Sequence, residues 1–346
     1  MVNMIMASAE LRDNIEDRTK EYLAWVRQKS NLPIPNDQTV LHPKWNFMFG
    51  NEFRYLNFHP DIRNQVEDLL SGKVERKYDD AASEIAVHDY IGHMASSQAL
   101  CWNVVLPMKK HDNFVPLFEV LNDSLRESGA RMKLDFGVET AVVLELNVAR
   151  DLRERGTATS IDLYLRTVQG KVCTIEFKLT EPDFGQCRQP REGNCDGNYG
   201  SPNYLLKNNG YLCYLSKVGR RYWHIGAQYG LLDPTRVAGS QTDPVQQCPL
   251  NVFYQALRNL MVAKKRSGED PDGEVRGIFV LAAEERNSAF WGLGNHFDCF
   301  KEYLREARGE ERPDVFRISI QDIVDRFSGT LADYKEFFMV KYGFSL

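Results

Sequence analysis

No CxxC pair, no HExxH signature and no GxxxxGK[ST] phosphate loop occurs in the 346-residue chain, and no apolar run approaches the roughly 20 residues that span a bilayer. Each absence excludes something. An odd set of seven cysteines without CxxC spacing reads as the reduced thiols of a cytosolic protein. Cys187, Cys195, Cys213 and Cys248 flank a loop-rich stretch and could in principle gather zinc, but their spacings are irregular. Without a phosphate loop, any helicase or translocase work would have to come from a partner chain. The first twenty residues lack a basic segment followed by an apolar one, so no cleaved signal peptide and a cytoplasmic location are expected, with no membrane partner. Internal repeats, low-complexity blocks and a convincing linker are also missing.

Excess positive charge is a further absence. The formal net charge is −5, which argues against a protein that coats polyanions by overall charge, yet leaves room for a local basic groove. What remains is ordinary: 43% hydrophobic and 26% charged residues, enough for one large domain or two unequal ones. Residues 1–110 read as a mainly helical region packed on the core, residues 111–285 as an α/β core, and residues 286–346 as a helical extension carrying the short strand "VFRISI". The N-terminal part predicts an amphipathic helix over 8–29 and another from about 83 that stops before Pro107, because a proline disrupts a helix interior.

In the middle stretch Phe114, Leu117, Phe118, Leu121 and Leu125 form one helical stripe, and residues 138–146 alternate as a strand. Two further strands, "TSIDLYLRT" and "KVCTIEFKLT", follow as a hairpin. Residues 181–210 are rich in Gly, Asn and Pro and read as an irregular excursion. A helix starting near Asp243-Pro244 buries Leu250, Phe253, Tyr254, Leu257, Leu260 and Met261, with Gln255, Arg258 and Asn259 on its other side, and "VRGIFVLAA" is then a buried strand.

The hairpin carries the chemistry. Residues two apart on a strand share a face, so Glu176 and Lys178 project together while Ile175, Phe177 and Leu179 point to the core. On the partner strand Ile161, Leu163 and Leu165 form the apolar face. Core must oppose core, which pairs Ile161 with Phe177, Leu163 with Ile175 and Leu165 with Cys173, sets Asp162 opposite Glu176, and requires a three-residue loop over Val168, Gln169 and Gly170 or a bulge. Two close carboxylates repel unless something positive lies between them, and a divalent cation with oxygen ligands, Mg2+ or Mn2+, meets that need. Alternatively the pair is an ion-pair ladder on an exposed sheet face.

Asp162, a hairpin, and Glu176-Phe177-Lys178, flanked by helix and strand on both sides, resemble the PD-(D/E)XK nuclease superfamily, with Ile161 where the motif's proline would stand. The stretches "SSQALCWN", "IEFKLTEPDFGQC" and "YQALRNLMVA" extend the resemblance to a bacterial branch regarded as restriction endonucleases. It implies a restriction-endonuclease-like α/β core (α-β-β-β-α-β, a central mixed sheet flanked by helices) with helical extensions at both ends. It also implies a magnesium-dependent phosphodiesterase acting on DNA. On that resemblance Asp162, Glu176 and the carbonyl of Phe177 hold the metal and Lys178 positions the attacking water. Glu145 on the first strand, or Glu119 on the preceding helix, adds a further carboxylate. Gln98, Gln255 and Arg258 are possible additions, whereas Glu181 has the opposite strand parity and points away unless the chain breaks at Pro182.

Phosphate contacts are expected from Arg188, Arg191, Lys207, Arg220 and Arg221, with Tyr199, Tyr204, Tyr211, Tyr222 and Trp223 interleaved as potential stacking groups. Cutting two strands favours a homodimer, and a restriction or defence role brings a companion methyltransferase or defence-system protein. A repair or processing nuclease of the same fold, and a catalytically silent nucleic-acid-binding module, are the other readings.

Overall fold

The computed structural model describes residues 2–30, 33–71, 87–128, 139–154, 160–195, 197–199, 213–232, 246–269, 274–309 and 314–346. Five strands form the central sheet: β1 (Ala141–Asn147), β2 (Ser160–Arg166), β3 (Val172–Lys178), β4 (Gly277–Ala283) and β5 (Val315–Ser319), adjacent in that order. The first three run antiparallel, and β3, β4 and β5 run parallel. Parallel neighbours need long crossovers, so helices lie in both later connections. This is the expected order on a mixed sheet, with one further strand from the C-terminal stretch.

Helices cover both faces. Four of them, α1 (Val2–Asp17), α2 (Thr19–Lys29), α3 (Ser97–Lys110) and α4 (Val115–Glu127), precede the sheet. The crossover helices are α5 (Tyr254–Ser267) and α6 (His296–Arg308), and α7 (Ile320–Asp325) and α8 (Tyr334–Tyr342) close the chain. Two cores result. Leu163, Leu165, Cys173, Ile175 and Phe177 pack with side chains of α1–α4, α7 and α8. Tyr164, Phe279 and Leu281 pack with α5, α6 and a knot of Phe184, Phe253, Phe290 and Phe300. Because both faces are covered, every residue of β3 is buried.

From Leu163 to Arg166 the hairpin register is the one that core matching requires, whereas the expected Ile161–Phe177 pair does not form and the Phe177 N–H donates to the Asp162 carboxylate instead. Leu163 pairs with Ile175, Leu165 with Cys173 and Arg166 with Val172. Thr167 and Lys171 close the turn (N–H to carbonyl, 3.0 Å), leaving Val168, Gln169 and Gly170 as the loop. Gly170 takes the left-handed φ of +78° that this three-residue turn needs at its last position.

Several local expectations give way to tertiary context. The first helix is interrupted at Arg18, whose guanidinium is drawn to the carbonyls of Met339 and Val340 at the C-terminus (both 2.9 Å). The helix expected from about 83 begins only at Ser97. Residues 88–96 are a run of turns, and the Ser96 hydroxyl caps the Ala99 N–H at 3.2 Å. It then runs through Pro107 to Lys110, because the packing of its residues from Gln98 to Met108, all buried, outweighs the lost hydrogen bond. Asp243-Pro244 lies outside the described residues.

Ile161 also departs from expectation. It and Leu146 pack in the second core, while their neighbours Leu163 and Leu144 stay in the first. Between them, Glu145 adopts φ +53°, a left-handed conformation rare for a side-chain-bearing residue, and the β1–β2 ladder skips the Glu145–Asp162 position. The sheet is broken where two carboxylates face each other.

Candidate active site

Three strands and one helix deliver the site. The skipped rung places Glu145 on β1 beside Asp162 on β2, and the hairpin register brings Asp162 to the end of β3, where Glu176 and Lys178 project. The Asp162 carboxylate accepts the Phe177 N–H at 2.8 Å, a bond that takes the place of the next ladder rung. The position is the carboxyl end of a parallel strand, where open α/β sheets place their ligands.

Glu176 and Lys178 are 3% and 4% exposed, so they are not a solvated ladder on an open face. Their ammonium-to-carboxylate distance is 3.3 Å. The helix α5 seals them. Gln255 Oε1 accepts from Lys178 Nζ at 2.7 Å, Asn259 donates to the second Glu176 oxygen at 2.7 Å, and the Arg258 guanidinium stands 3.9 Å from that oxygen. Arg258 also donates to the Ser160 carbonyl at 3.0 Å, and its Nη1 is buried with no partner among the described residues. Positions 255, 258 and 259 share one helix face by their i, i+3, i+4 spacing. Arg258 and Asn259 are therefore buried against the sheet and not solvated.

Glu145 is 1% exposed and held on both oxygens: Gln98 (2.9 Å) and Trp102 (3.1 Å) donate to one, Ser160 (2.5 Å) to the other. The Gln98 amide oxygen in turn accepts the His88 N–H at 2.9 Å. Trp102, Ser160 and the clamping role of Asn259 went unseen in the sequence, since each depends on an element whose packing spacing cannot reveal.

The electrostatics are unbalanced. Three carboxylates, Glu145, Asp162 and Glu176, share the site with two cations, Lys178 and Arg258. Burial, then the charges of Glu176 and Glu145, push the Asp162 carboxyl well above the usual range, against the Phe177 N–H and Lys178. Burial raises Glu145 as well, opposed by its three hydrogen bonds. Burial works against the Lys178 charge, but Glu176, Glu181 and Asp162 more than offset it, so the ammonium is held more firmly than usual. Asp162 Oδ1 makes no hydrogen bond among the described residues. A surplus of buried negative charge with an oxygen to spare suits a divalent cation, although no three described His, Cys, Asp or Glu side chains already close on a metal position.

A family model described as Restriction Endonuclease associating with ARP matches residues 23–343. The chain belongs to that family. No curated protein and no solved structure matches it. The match runs from within α2 through α3, α4 and the whole sheet to α8, so the family is defined over both cores and not over the hairpin alone. The restriction-endonuclease-like fold and a nuclease class follow from it.

The remaining expected residues lie elsewhere or act locally. Glu119 is half exposed and ion-pairs with Arg326 at 3.4 Å, away from the carboxylate group. Glu181 turns back on the chain: its carboxylate accepts the Leu179 and Thr180 N–H groups at 2.8 and 3.1 Å, which ends the strand. Arg188 and Arg191 are exposed, and Arg220 and Arg221 are half-buried. Lys207, Tyr204 and Tyr211 lie outside the described residues. Tyr222 and Trp223 are buried in the second core and so are not available to stack on bases. Among the described residues, no helix is long and apolar enough to cross a membrane.

Proposed function

We propose that the chain is a Mg2+-dependent deoxyribonuclease of the PD-(D/E)XK type, with Mn2+ as a substitute ion, serving in restriction or another defence role. The observation that carries this reading is the convergence of Asp162, Glu176 and Lys178 at the carboxyl end of β3, where three carboxyl groups meet two cations. Asp162, Glu176 and the Phe177 carbonyl would hold the ion, which when bound supplies Lewis-acid activation of water and of the phosphoryl group.

Other steps belong to the side chains. Lys178 holds its proton firmly, so it acts as a donor that orients the attacking water and meets charge on a phosphoryl oxygen, rather than as a base. Gln255 and Glu176 fix its direction. Asn259 and Arg258 hold Glu176, and Glu145 adds negative charge beside Asp162 from a fixed position. Arg188 and Arg191 in the excursion that follows the motif, and Arg220 and Arg221 beyond it, offer phosphate contacts. A companion protein fits the association recorded in the family's description, and two-strand cutting favours a homodimer.

The test is cleavage of supercoiled and linear DNA, unmodified and modified, with Mg2+, Mn2+ or chelator. Metal-dependent cutting by the wild type, reduced about 10³-fold or more in both Glu176→Ala and Lys178→Ala with folding intact, is the expected result. DNA binding without cutting, unchanged in both variants, would replace the enzyme with a binding module.

A further inference from the structure

Away from the carboxylates, four of the seven cysteines lie in one core. Cys187, Cys195, Cys213 and Cys248 are 9%, 7%, 4% and 6% exposed and lie in the same core. Cys187 interacts electrostatically with Cys213 and Cys195, and Cys248 with Cys213 and Cys187. No disulfide joins them. The other three thiols are set apart: Cys101 and Cys173 lie in the first core and Cys299 is exposed.

Backbone pairing joins the segments that carry three of the four, Cys187, Cys195 and Cys248. Cys195 precedes and Cys248 follows a two-stranded antiparallel ribbon, in which Asn198 pairs with Gln247 and Tyr199 with Gln246. The Cys248 N–H donates to the Gly197 carbonyl at 2.8 Å and the Cys187 N–H to the Leu250 carbonyl at 3.1 Å, so three chain segments are sewn together at the thiols. Gly197, at φ +74°, turns the chain from Cys195 into the ribbon, and a side chain there would press on Pro190 and Asn251. The Cys187 sulfur accepts the Gln189 N–H, and the Cys248 sulfur accepts the Leu250 and Asn251 N–H groups. Burial pushes the Cys187 thiol up to about 12 and the Cys248 thiol higher still, and these amide donors oppose that rise.

We infer that Cys187, Cys195, Cys213 and Cys248 form a structural zinc site that ties the ribbon to the segments carrying Arg188, Arg191, Arg220 and Arg221. Four thiolates drawn to one point would make a closed, tetrahedral set, and thiolate softness selects zinc over the magnesium of an oxygen site. Each thiol gives its proton to solvent as its Zn–S bond forms, with no change of oxidation state. Among the described residues no three potential ligands already close on a metal position, so the protonated thiols must draw inward by side-chain rotation on binding. Arg220, whose charge reaches Cys187, offsets part of the negative charge of a tetrathiolate centre. The site is independent of the nuclease reading, since it shares no residue with it.

Metal analysis of the full-length chain, purified under reducing conditions, should find about one zinc per molecule, released when the thiols are blocked by a mercurial. Replacing zinc with Co2+ should produce the intense visible absorption of tetrahedral thiolate-bound cobalt. Glu176→Gln and Cys299→Ser should keep both signals, and Cys195→Ser and Cys248→Ser should lose them. If those two variants fail to fold, the zinc content and cobalt spectrum of the wild type decide alone. A wild-type chain that carries no zinc and takes up neither Zn2+ nor Co2+, an iron–sulfur chromophore in its place, or zinc retained in folded Cys248→Ser would each overturn the assignment.

Discussion

Two groups of buried charges lie at opposite ends of the parallel strands, and they are built differently. Beneath the start of β4 and β5, Lys264 meets Glu269 and Asp314 (both 2.8 Å), and Arg308 meets Asp314 at 2.9 Å. Glu269 also accepts the Arg276 and Gly277 N–H groups at 3.0 and 2.9 Å. Two cations face two anions there. Although burial opposes it, Lys264 and Arg308 hold the Asp314 carboxyl below its usual range. At the other end three carboxylates face two cations, and the Asp162 carboxyl is pushed up. A buried carboxylate that is fully compensated serves the fold; one that is left uncompensated is waiting for something positive.

The largest expected effect comes from breaking the balanced group. Lys264→Met leaves Asp314 and Glu269 buried without their shared cation, and should cost about 3–5 kcal/mol of stability, read by chemical denaturation. Cleavage per folded molecule should be unchanged, because the group lies at the far end of the strands. Loss of cutting out of proportion to loss of folded protein would end the division into a structural and a functional cluster.

A carboxylate removed from the unbalanced group should have the opposite sign. The folded-state pKa of Asp162 is raised, so the folded chain holds that proton to higher pH than the unfolded chain does. Stability associated with it is therefore lost as pH rises from the ordinary carboxyl range through the folded pKa. Asp162→Asn removes that loss. In the absence of metal its melting temperature should exceed the wild type's at neutral pH, by a few degrees at most, since about 1 kcal/mol moves a large domain by roughly 2–4 °C. The difference should shrink as the pH is lowered toward about 4. Added Mg2+ should raise the wild type, by about 1.4 kcal/mol at ten times the dissociation constant, and leave the variant unmoved. A variant less stable than the wild type at neutral pH would mean that the site is balanced as it stands.

The smallest effect should come from Gln255, which touches only Lys178 among the catalytic set. Gln255→Leu removes an acceptor that aims the ammonium, and should lower kcat roughly 10-fold while KM for DNA stays near its original value. A change confined to KM would place Gln255 in DNA binding instead.

Some of this was readable in the chain and some was not. Alternation of Leu163, Leu165, Cys173 and Ile175 admits one core-matched register, and Gly170 supplies the turn that permits it. The nearness of Asp162 to Glu176 follows from those local facts. Glu145 was within reach on strand order alone, but its left-handed backbone and its clamp of Gln98, Trp102 and Ser160 were not, because they require α3 to lie against the sheet. Asn259 stood only as a residue on the side of its helix away from the apolar stripe, for the same reason. The four cysteines looked irregular because chain spacing measures contour and not distance: residues 187 and 248 meet only when the ribbon brings them together.

By itself, then, the sequence determined what period-two and period-3.6 patterning can encode: the hairpin, its register, the buried stripe of α5 and the pair Asp162–Glu176 with Lys178 beside it. Which polar face is buried, which carboxylate joins the pair and which thiols share a core were decided only by tertiary packing. Those contacts lie between residues 15 to 98 positions apart, where local propensity carries no information about which face meets which.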